Sequence, residues 1–437
     1  MDTVNSLPVV IIGGGPVGLA AAAHLAVRRQ PFLLFERGAM VGANIQSWQH
    51  VRVFSPWRFN IDKAARQLLE ANGWRAPDDE AIPTGKELYD FYFKPLSEVS
   101  EIRPSIHLNS SVIAAGRKGL DKVINNRREQ LPFVIQVRQN GQTQFHEARA
   151  VIDASGTWLS PNPIGSGGIY ADGELQNFEK IFYGIPDIQN LHKNRYKNKS
   201  VLVVGGGHSA INSILALNDI KDEFPETEIH WVLRKDNLKK VYGGQENDAL
   251  PARGALGVRI EQLVNDNRVN VYTPFYIQQI VNEKNRLSIV GHQNNQFYVL
   301  PGIDEIICNT GSRPDFSFLR EIRLNIDHAI ESVANIAELI DPNVHSCGTV
   351  RAHGEAELRQ PEKDFYIVGS KSYGRAPTFL MATGYEQVRS VVAGLVGDWE
   401  AARRVELELP ETGVCSTDFG EACCGVSPEA KTSACCA

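Results

Sequence analysis

A chain of 437 residues is too long for one ordinary domain, so two or three domains with a sizeable core are expected. Its 43% hydrophobic and 22% charged residues are ordinary for a globular protein in water, and a net charge of -6 gives neither nucleic acid nor an anionic membrane a reason to bind. The most apolar run, residues 8–26, holds four glycines, Pro16 and His24 and lacks a basic leader. It therefore reads as strand, turn and helix rather than as a signal peptide or membrane span, and with no targeting segment visible the expected location is the cytoplasm.

In chain order, residues 8–12 suit a strand buried on both faces. A glycine turn, an Ala-rich helix and a second strand at 31–35 follow. Aromatic-rich loops carry Trp48, Phe54, Trp57 and Phe59, and helices are expected over 61–72 and 85–99. Residues 133–152 alternate around Asn140-Gly141, a pair that favours the positive φ angles of a tight hairpin turn. The hairpin leads into the strand end 151–156, and a polar, Gly-rich linker spans 157–175. From 201 the opening pattern repeats: strand, glycine turn, helix, and a strand at 229–233. A second alternating pair (287–291, 297–300) precedes the strand end 306–311. Strand and helix return at 365–369 and 378–396, which suggests that the middle third is an insertion and that this piece completes the first domain. Residues 410–437 show little periodicity and read as a mobile tail.

Gly13-Gly14-Gly15-Pro16-Val17-Gly18 is a GxGxxG between strand and helix. Gly13 permits the turn, Gly15 lets the backbone approach a pyrophosphate, and Gly18 lets the helix pack close to the sheet. Glu36 ends the next strand, where a carboxylate can accept hydrogen bonds from ribose hydroxyls. The second copy is Gly205-Gly206-Gly207-His208-Ser209-Ala210, with alanine at the third position. Its next strand ends in Arg234-Lys235 instead of an acid. A guanidinium pairs with a 2′-phosphate that an acid would repel, which favours NADPH over NADH; the competing reading is a solvated Arg-Lys pair. An acid at the first site and a base at the second suggest FAD first and NADPH second. His208, beside the second glycine turn, is a candidate phosphate contact.

This arrangement resembles the two-dinucleotide-binding-domain flavoproteins, especially the class B flavin monooxygenases. The strand end Asp153-Ala154-Ser155-Gly156-Thr157-Trp158 with Pro161 and Pro163 is similar to that family's crossing between domains, and Asn309-Thr310-Gly311-Ser312-Arg313-Pro314 to its second copy. Tyr366-Ile367-Val368-Gly369 and the helix after Pro377-Thr378 are similar to the segment that closes over the flavin. The family's FxGxxxH fingerprint departs here: Phe182-Tyr183-Gly184 keeps its start, Ile188 takes the histidine position, and His192 falls four residues later. His50-Val51-Arg52, Phe54-Ser55-Pro56-Trp57-Arg58, Leu88-Tyr89, Gly184-Ile185-Pro186-Asp187 and Tyr373-Gly374-Arg375-Ala376-Pro377-Thr378 are similar to the flavoprotein monooxygenases of bacterial arsenical-resistance operons.

The resemblance implies an α/β fold of two Rossmann-like dinucleotide-binding domains, the NADPH domain inserted in the FAD domain. The expected division is 1–160 and 336–410 for the FAD domain, 161–335 for the NADPH domain and 411–437 for a flexible Cys-rich tail. The expected cofactor-binding residues are Gly13, Gly15, Pro16, Gly18, Glu36, Arg37, Trp48, Val112, Ser155 and Gly156, then Gly205, Gly207, His208, Ser209, Ala210, Arg234, Lys235, Gly311, Arg313, Gly369, Pro377 and Thr378. No catalytic side chain is assigned. The expected partners are a small-molecule substrate and dioxygen, with a homodimer as a candidate assembly.

Five of the seven cysteines, Cys415, Cys423, Cys424, Cys435 and Cys436, fall in the last 23 residues, unlike the spread of a secreted disulfide framework. Thiolates favour soft ions, so these are candidate ligands for a soft metal or metalloid, against the alternative of a tail whose cysteines do nothing essential. The closing pair is similar to that of mercuric reductases. No CxxxxC follows the second strand and no CxxC lies in the middle domain, so the redox dithiol of a disulfide reductase is not expected. Cys308 and Cys347 are lone residues of the body. The leading expectation is NADPH-dependent oxygenation of a soft heteroatom, with trivalent arsenicals as implied substrates. The alternatives are an NADPH-dependent reductase of a metal ion or quinone and a non-catalytic metal-sequestering or redox-sensing flavoprotein.

Overall fold

The computed structural model describes residues 2–243, 245, 251–343 and 350–407. Strands β1 (Val9–Ile12), β2 (Phe32–Phe35) and β3 (Ile106–His107) are followed by an antiparallel trio, β4 (Ser110–Arg117), β5 (Phe133–Gln139) and β6 (Gln142–Ala148), and by β7 (Ala150–Asp153). Next come β8 (Ile181–Tyr183), β9 (Ser200–Val204), β10 (Glu228–Val232) and β11 (Asn270–Tyr272). A second antiparallel trio, β12 (Phe275–Glu283), β13 (Arg286–Gln293) and β14 (Gln296–Ile303), leads to β15 (Glu305–Cys308), and β16 (Phe365–Ile367) is last.

The first sheet has the order β16-β7-β1-β2-β3 and the second β11-β10-β9-β15-β8. Every neighbouring pair in both is parallel, from β1 beside β2 and β7 to β15 beside β8 and β9. Because β16 pairs with β7, the first sheet is completed only after the second has been built, which is the insertion expected from the sequence. The two trios lie outside these sheets, one per unit.

Burial explains the local pattern. β1 is buried along its whole length, so its run is apolar without alternation. The helix Pro16–Val27 is buried from Val17 to Leu25, because the helices Lys63–Ala71 and Met381–Leu395 pack on it as well as the sheet. A helix covered on all sides needs no polar face, and alanine allows the close approach. Asn140 and Gly141 adopt φ of 50° and 77°, the left-handed pair that the hairpin between β5 and β6 requires.

The helix expected over 85–99 is interrupted by a π-helical stretch, Tyr89–Phe93. Pro95 has no N–H to donate to the Phe91 carbonyl four residues back. That carbonyl accepts from the Trp74 indole at 2.8 Å instead. β4 and β12 were not anticipated. β4 is rich in small residues without clear alternation, whereas Phe275, Ile277 and Ile280 of β12 do turn to the core.

The outward and return linkers between the units pair as a short antiparallel ribbon. Pro161 bridges Ser312, Asn162 N–H donates to Gly311 O at 2.9 Å, and Arg313 N–H donates to Ser160 O at 2.9 Å. Phe316, Phe318, Leu319 and Ile322 then pack in the first core, so the expected boundary at 335 lies inside a stretch that has already rejoined it. No helix among the described residues is long and apolar enough to cross a membrane.

Candidate functional site: two glycine turns and a cleft

The first seat lies at the C-terminal end of β1. Gly13 has φ of 101°, and a Cβ there would sit 2.8 Å from Ala154 O. Gly18 is tighter: its Cβ would lie 1.9 Å from Gly13 O, so this glycine lets the helix meet the turn. Gly15 differs from both. It is the N-cap of the helix Pro16–Val27 with no side-chain cap, and a Cβ on it would meet nothing within 4 Å. An uncapped helix start with open space before it suits a pyrophosphate, which the free N–H groups and the helix dipole favour. Glu36 faces this turn, and its carboxylate accepts from Gly14 N–H and from Gly38 N–H, each at 2.7 Å. Its neighbour Arg37 is exposed.

The other residues expected at this seat come from separate elements. Trp48 is half-buried over Gly85, where a Cβ would lie 2.9 Å from its ring, and is 6.4 Å from the Trp158 ring. Val112 is half-buried on β4 opposite Val137. Ser155 and Gly156 follow β7, and Ser155 Oγ donates to Asp153 Oδ1 at 2.6 Å. Gly369 follows β16, and its N–H donates to Gln387 Oε1 at 2.7 Å. Pro377 is exposed. Thr378 is half-buried, and its Oγ1 is enclosed without a hydrogen-bond partner. An open helix start and an enclosed hydroxyl without a partner are what a bound dinucleotide would complete, so this seat fits one.

The second seat repeats the plan at β9. Gly205 has φ of 137° and would place a Cβ 2.2 Å from Asn309 O. Gly207 is the uncapped start of the helix His208–Glu223, again with nothing within 4 Å of its Cβ position. His208, Ser209 and Ala210 form the first turn of that helix, and Ala210 is buried. The His208 ring lies 5.2 Å from that of Phe54, joining this helix start to the first unit. Beyond β10, Arg234 is exposed and Lys235 half-buried. Both line a recess of about 510 Å³ with Pro274, Tyr276 and Asn295, so the guanidinium is available to a phosphate.

A cavity of about 580 Å³ opens at the second seat and reaches the Ser370–Phe379 segment of the first unit. Gly205–Gly207, Ser209, Arg234 and Lys235 line one part; Trp158, Ser370, Arg375–Pro377 and Phe379 line another, and Gly311 lies on the linker between them. Its size is that of a small-ligand or cofactor site. Phe275 and Ile277, from the unanticipated β12, also line it. The Arg313 guanidinium lies 3.3 Å from the Glu331 carboxylate, on the side of the first unit, and its Nε is enclosed without a hydrogen-bond partner.

Ile188, at the position of the fingerprint histidine, is 1% exposed in the second core. His192 lies edge-on to the Phe182 ring at 5.1 Å, and burial holds its pKa below the usual imidazole value. Cys308 is buried at the end of β15, and burial pushes its thiol up to about 12. Cys347 and the tail residues Cys415, Cys423, Cys424, Cys435 and Cys436 lie outside the described residues. Among the described residues no group of three or more His, Cys, Asp or Glu side chains is arranged to hold a metal.

Two glycine-turn seats, each at the end of a parallel sheet, define a two-nucleotide oxidoreductase. The chain belongs to the pyridine nucleotide-disulphide oxidoreductase family, whose sequence profile matches residues 10–348. It is 22% identical to ferredoxin–NADP reductase 2 of Bacillus cytotoxicus over 355 residues, 80% of this chain and 86% of that one. Among solved structures it resembles the bacillithiol disulfide reductase of Bacillus cereus, with a TM-score of 0.67, 16% identity and 90% and 99% of the two chains covered. It also resembles the FAD-bound cadaverine monooxygenase of Erwinia amylovora, with a TM-score of 0.65, 13% identity and 92% and 97% coverage. The protein is a flavin-dependent oxidoreductase whose cofactors are FAD and NADPH.

Proposed function

We propose that FAD occupies the seat at Gly13–Gly18 and NADPH the seat at Gly205–Ala210, and that the protein is a monooxygenase that oxygenates a soft heteroatom. Cys308 carries the part of this reading that sets a thiol relay aside. It is the one described cysteine, it is buried, and burial pushes its thiol up to about 12. A thiol relay needs an accessible thiolate, and the sequence has no CxxxxC or CxxC in the positions a disulfide reductase uses. Among the described residues no thiol is placed to take electrons from the flavin, so in this reading reducing equivalents leave it directly, for a molecule in the cleft. Flavin, when bound, supplies the hydride and oxygen chemistry. The chain's part is to hold and to exclude: two helix starts bind phosphates, Arg234 selects the 2′-phosphate, and Trp158, Pro161 and Phe379 keep bulk water from the cavity.

Trivalent arsenicals are the substrate class we favour, on the sequence resemblance around His50, Phe54 and Tyr373. Phe54 supports its relevance to the cleft, because its ring meets His208 at the start of the second helix. The tail cysteines serve this reading as a capture element for a thiophilic substrate. Removing residues 411–437 should then lower kcat/KM for an arsenical and not for a substrate that ignores thiols.

A second reading is favoured by one observation. The relatives named as ferredoxin–NADP reductases match most of the chain. An NADPH-dependent reductase passing electrons to an external acceptor would also need no thiol relay. Oxygen uptake separates the two. A monooxygenase consumes oxygen and NADPH in step with oxygenated product; sustained anaerobic turnover with an electron acceptor, and no oxygenated product in air, supports the reductase.

A further inference from the structure

We propose that Lys371 is a positioning residue for the flavin, fixing the strand end that carries Ser155 and Gly156 against the turn Gly369–Tyr373. The proposal rests on FAD occupying the first seat. Lys371 and Asp153 are 218 residues apart in sequence, and their side chains are 1% and 0% exposed. Lys371 Nζ donates to Asp153 Oδ2 at 2.7 Å and to Ser155 Oγ at 3.1 Å. Asp153 Oδ1 accepts from both Ser155 N–H, at 3.0 Å, and Ser155 Oγ, at 2.6 Å. The ammonium also lies 4.5 Å from the Phe318 ring centroid and 5.2 Å from that of Phe316, both on the return linker. One buried cation thus ties together the strand end leaving the first unit, the chain re-entering it, and the turn that follows β16.

Stability alone is a weak reason for such a pair, since an apolar pair of similar volume is often as stable. What the pair adds is direction. Its hydrogen bonds fix Ser155, and a Cβ on the adjoining Gly156, at φ of 69°, would lie 3.4 Å from Ser370 Oγ. The turn is pinned independently on its other side by Gln387 through Gly369 N–H. Two backbone segments of the flavin seat are therefore held at a set distance by groups outside it, as a precise site requires.

The test is the double variant Asp153→Leu/Lys371→Met, which removes both charges and leaves neither buried alone. The readouts are the FAD dissociation constant, the visible flavin spectrum and the melting temperature of the apoprotein. The expected result is an apoprotein as stable as the parent whose FAD dissociation constant rises roughly tenfold or more with an altered flavin spectrum. An unchanged dissociation constant and spectrum would overturn the role of Lys371. If the double variant does not fold, Asp153→Asn/Lys371→Met decides: it also removes both charges, keeps an amide oxygen to accept from Ser155 N–H, and changes no residue expected to touch the cofactor. A severalfold weaker FAD affinity then supports the proposal and an unchanged one overturns it. Parent protein that holds no FAD would instead overturn the assignment of the first seat.

Discussion

Glu36 closes the first glycine turn from across the sheet, its Oε2 accepting the Gly14 N–H at 2.7 Å while Oε1 takes the Gly38 N–H. The carboxylate is thus fixed by the backbone before any ribose arrives, and its remaining lone pairs point where the turn directs them. Glu36→Ala leaves both N–H groups without these acceptors, a loss of about 1–3 kcal/mol for each that stays buried. The variant should melt at a lower temperature and purify with less FAD. Normal flavin content would show that the turn keeps its shape unaided.

Gly15→Val should remove FAD without unfolding the protein. The position has ordinary φ, and a Cβ there meets no protein atom within 4 Å, so the added side chain fills only the space left for a pyrophosphate. Gly18→Ala makes the contrast, because its methyl would lie 1.9 Å from Gly13 O and must distort the turn itself. The ratio of visible to ultraviolet absorbance, with circular dichroism for the fold, checks both. A Gly15→Val protein that keeps its yellow colour places the flavin elsewhere.

Arg234→Ala should raise KM for NADPH far more than KM for NADH. The guanidinium is exposed beside Lys235, and a charge-assisted contact to a 2′-phosphate contributes on the order of 1.5–3 kcal/mol, or roughly ten- to a hundredfold in affinity. Steady-state kinetics with both nucleotides tests this. Equal losses would mean that Arg234 does not read the phosphate.

Acidification should destabilise the fold. Burial lowers the pKa of His50, His107, His146, His192, His230 and His353 below the free imidazole value of 6.5. The unfolded chain takes up these protons first, so the stabilisation is complete above about pH 6.5 and is lost as pH falls from there through the folded-state values. The melting temperature should therefore drop between about pH 7 and pH 5, and His353→Gln should blunt the drop, since His353 is the most enclosed of the six. A flat profile over this range would contradict the burial of these rings.

Cys308 should resist alkylation in the native protein. Its thiol is buried, raised to about 12, and near the Asn162 carbonyl and the Thr310 hydroxyl. Peptide mapping after iodoacetamide at pH 8 should find it unmodified until denaturant is added, and Cys308→Ser should keep NADPH-driven flavin reduction. Rapid native labelling, or loss of flavin reduction in the serine variant, would reopen a thiol route for electrons.

The two seats were legible because their chemistry is local. A glycine with positive φ, an uncapped helix start and an acid or base at the next strand end all fall within a few tens of residues, so spacing reveals them. The completion of the first sheet by residues 365–367 was legible for a similar reason, as a strand pattern returning after a second full unit. The clamp between Asp153 and Lys371 was not, since nothing in either local sequence marks a partner 218 residues away. β12 could have been found, as its apolar positions 275, 277 and 280 do partly alternate. The approach of the Glu331 carboxylate to Arg313 was not legible either, since no local pattern links the two residues. The π-helical stretch before Pro95 needed Trp74 to take up a released carbonyl, a tertiary contact that helix periodicity does not encode.

The place of β16 in the first sheet sets an order on biosynthesis. As the chain leaves the ribosome, everything the second sheet needs has emerged by Cys308, whereas the first sheet still lacks the strand that pairs with β7. The inserted unit can therefore reach its final shape while the unit that precedes it in sequence waits, with β7 lacking its partner β16 and the helix Pro16–Val27 lacking Met381–Leu395, one of the two helices that pack on it. Domains usually mature from the N-terminus, and here the sequence order and the order of completion are reversed. Nascent chains stalled near residue 350, with β15 clear of the ribosome and β16 not yet made, should accordingly present a protease-resistant middle and a cleavable beginning.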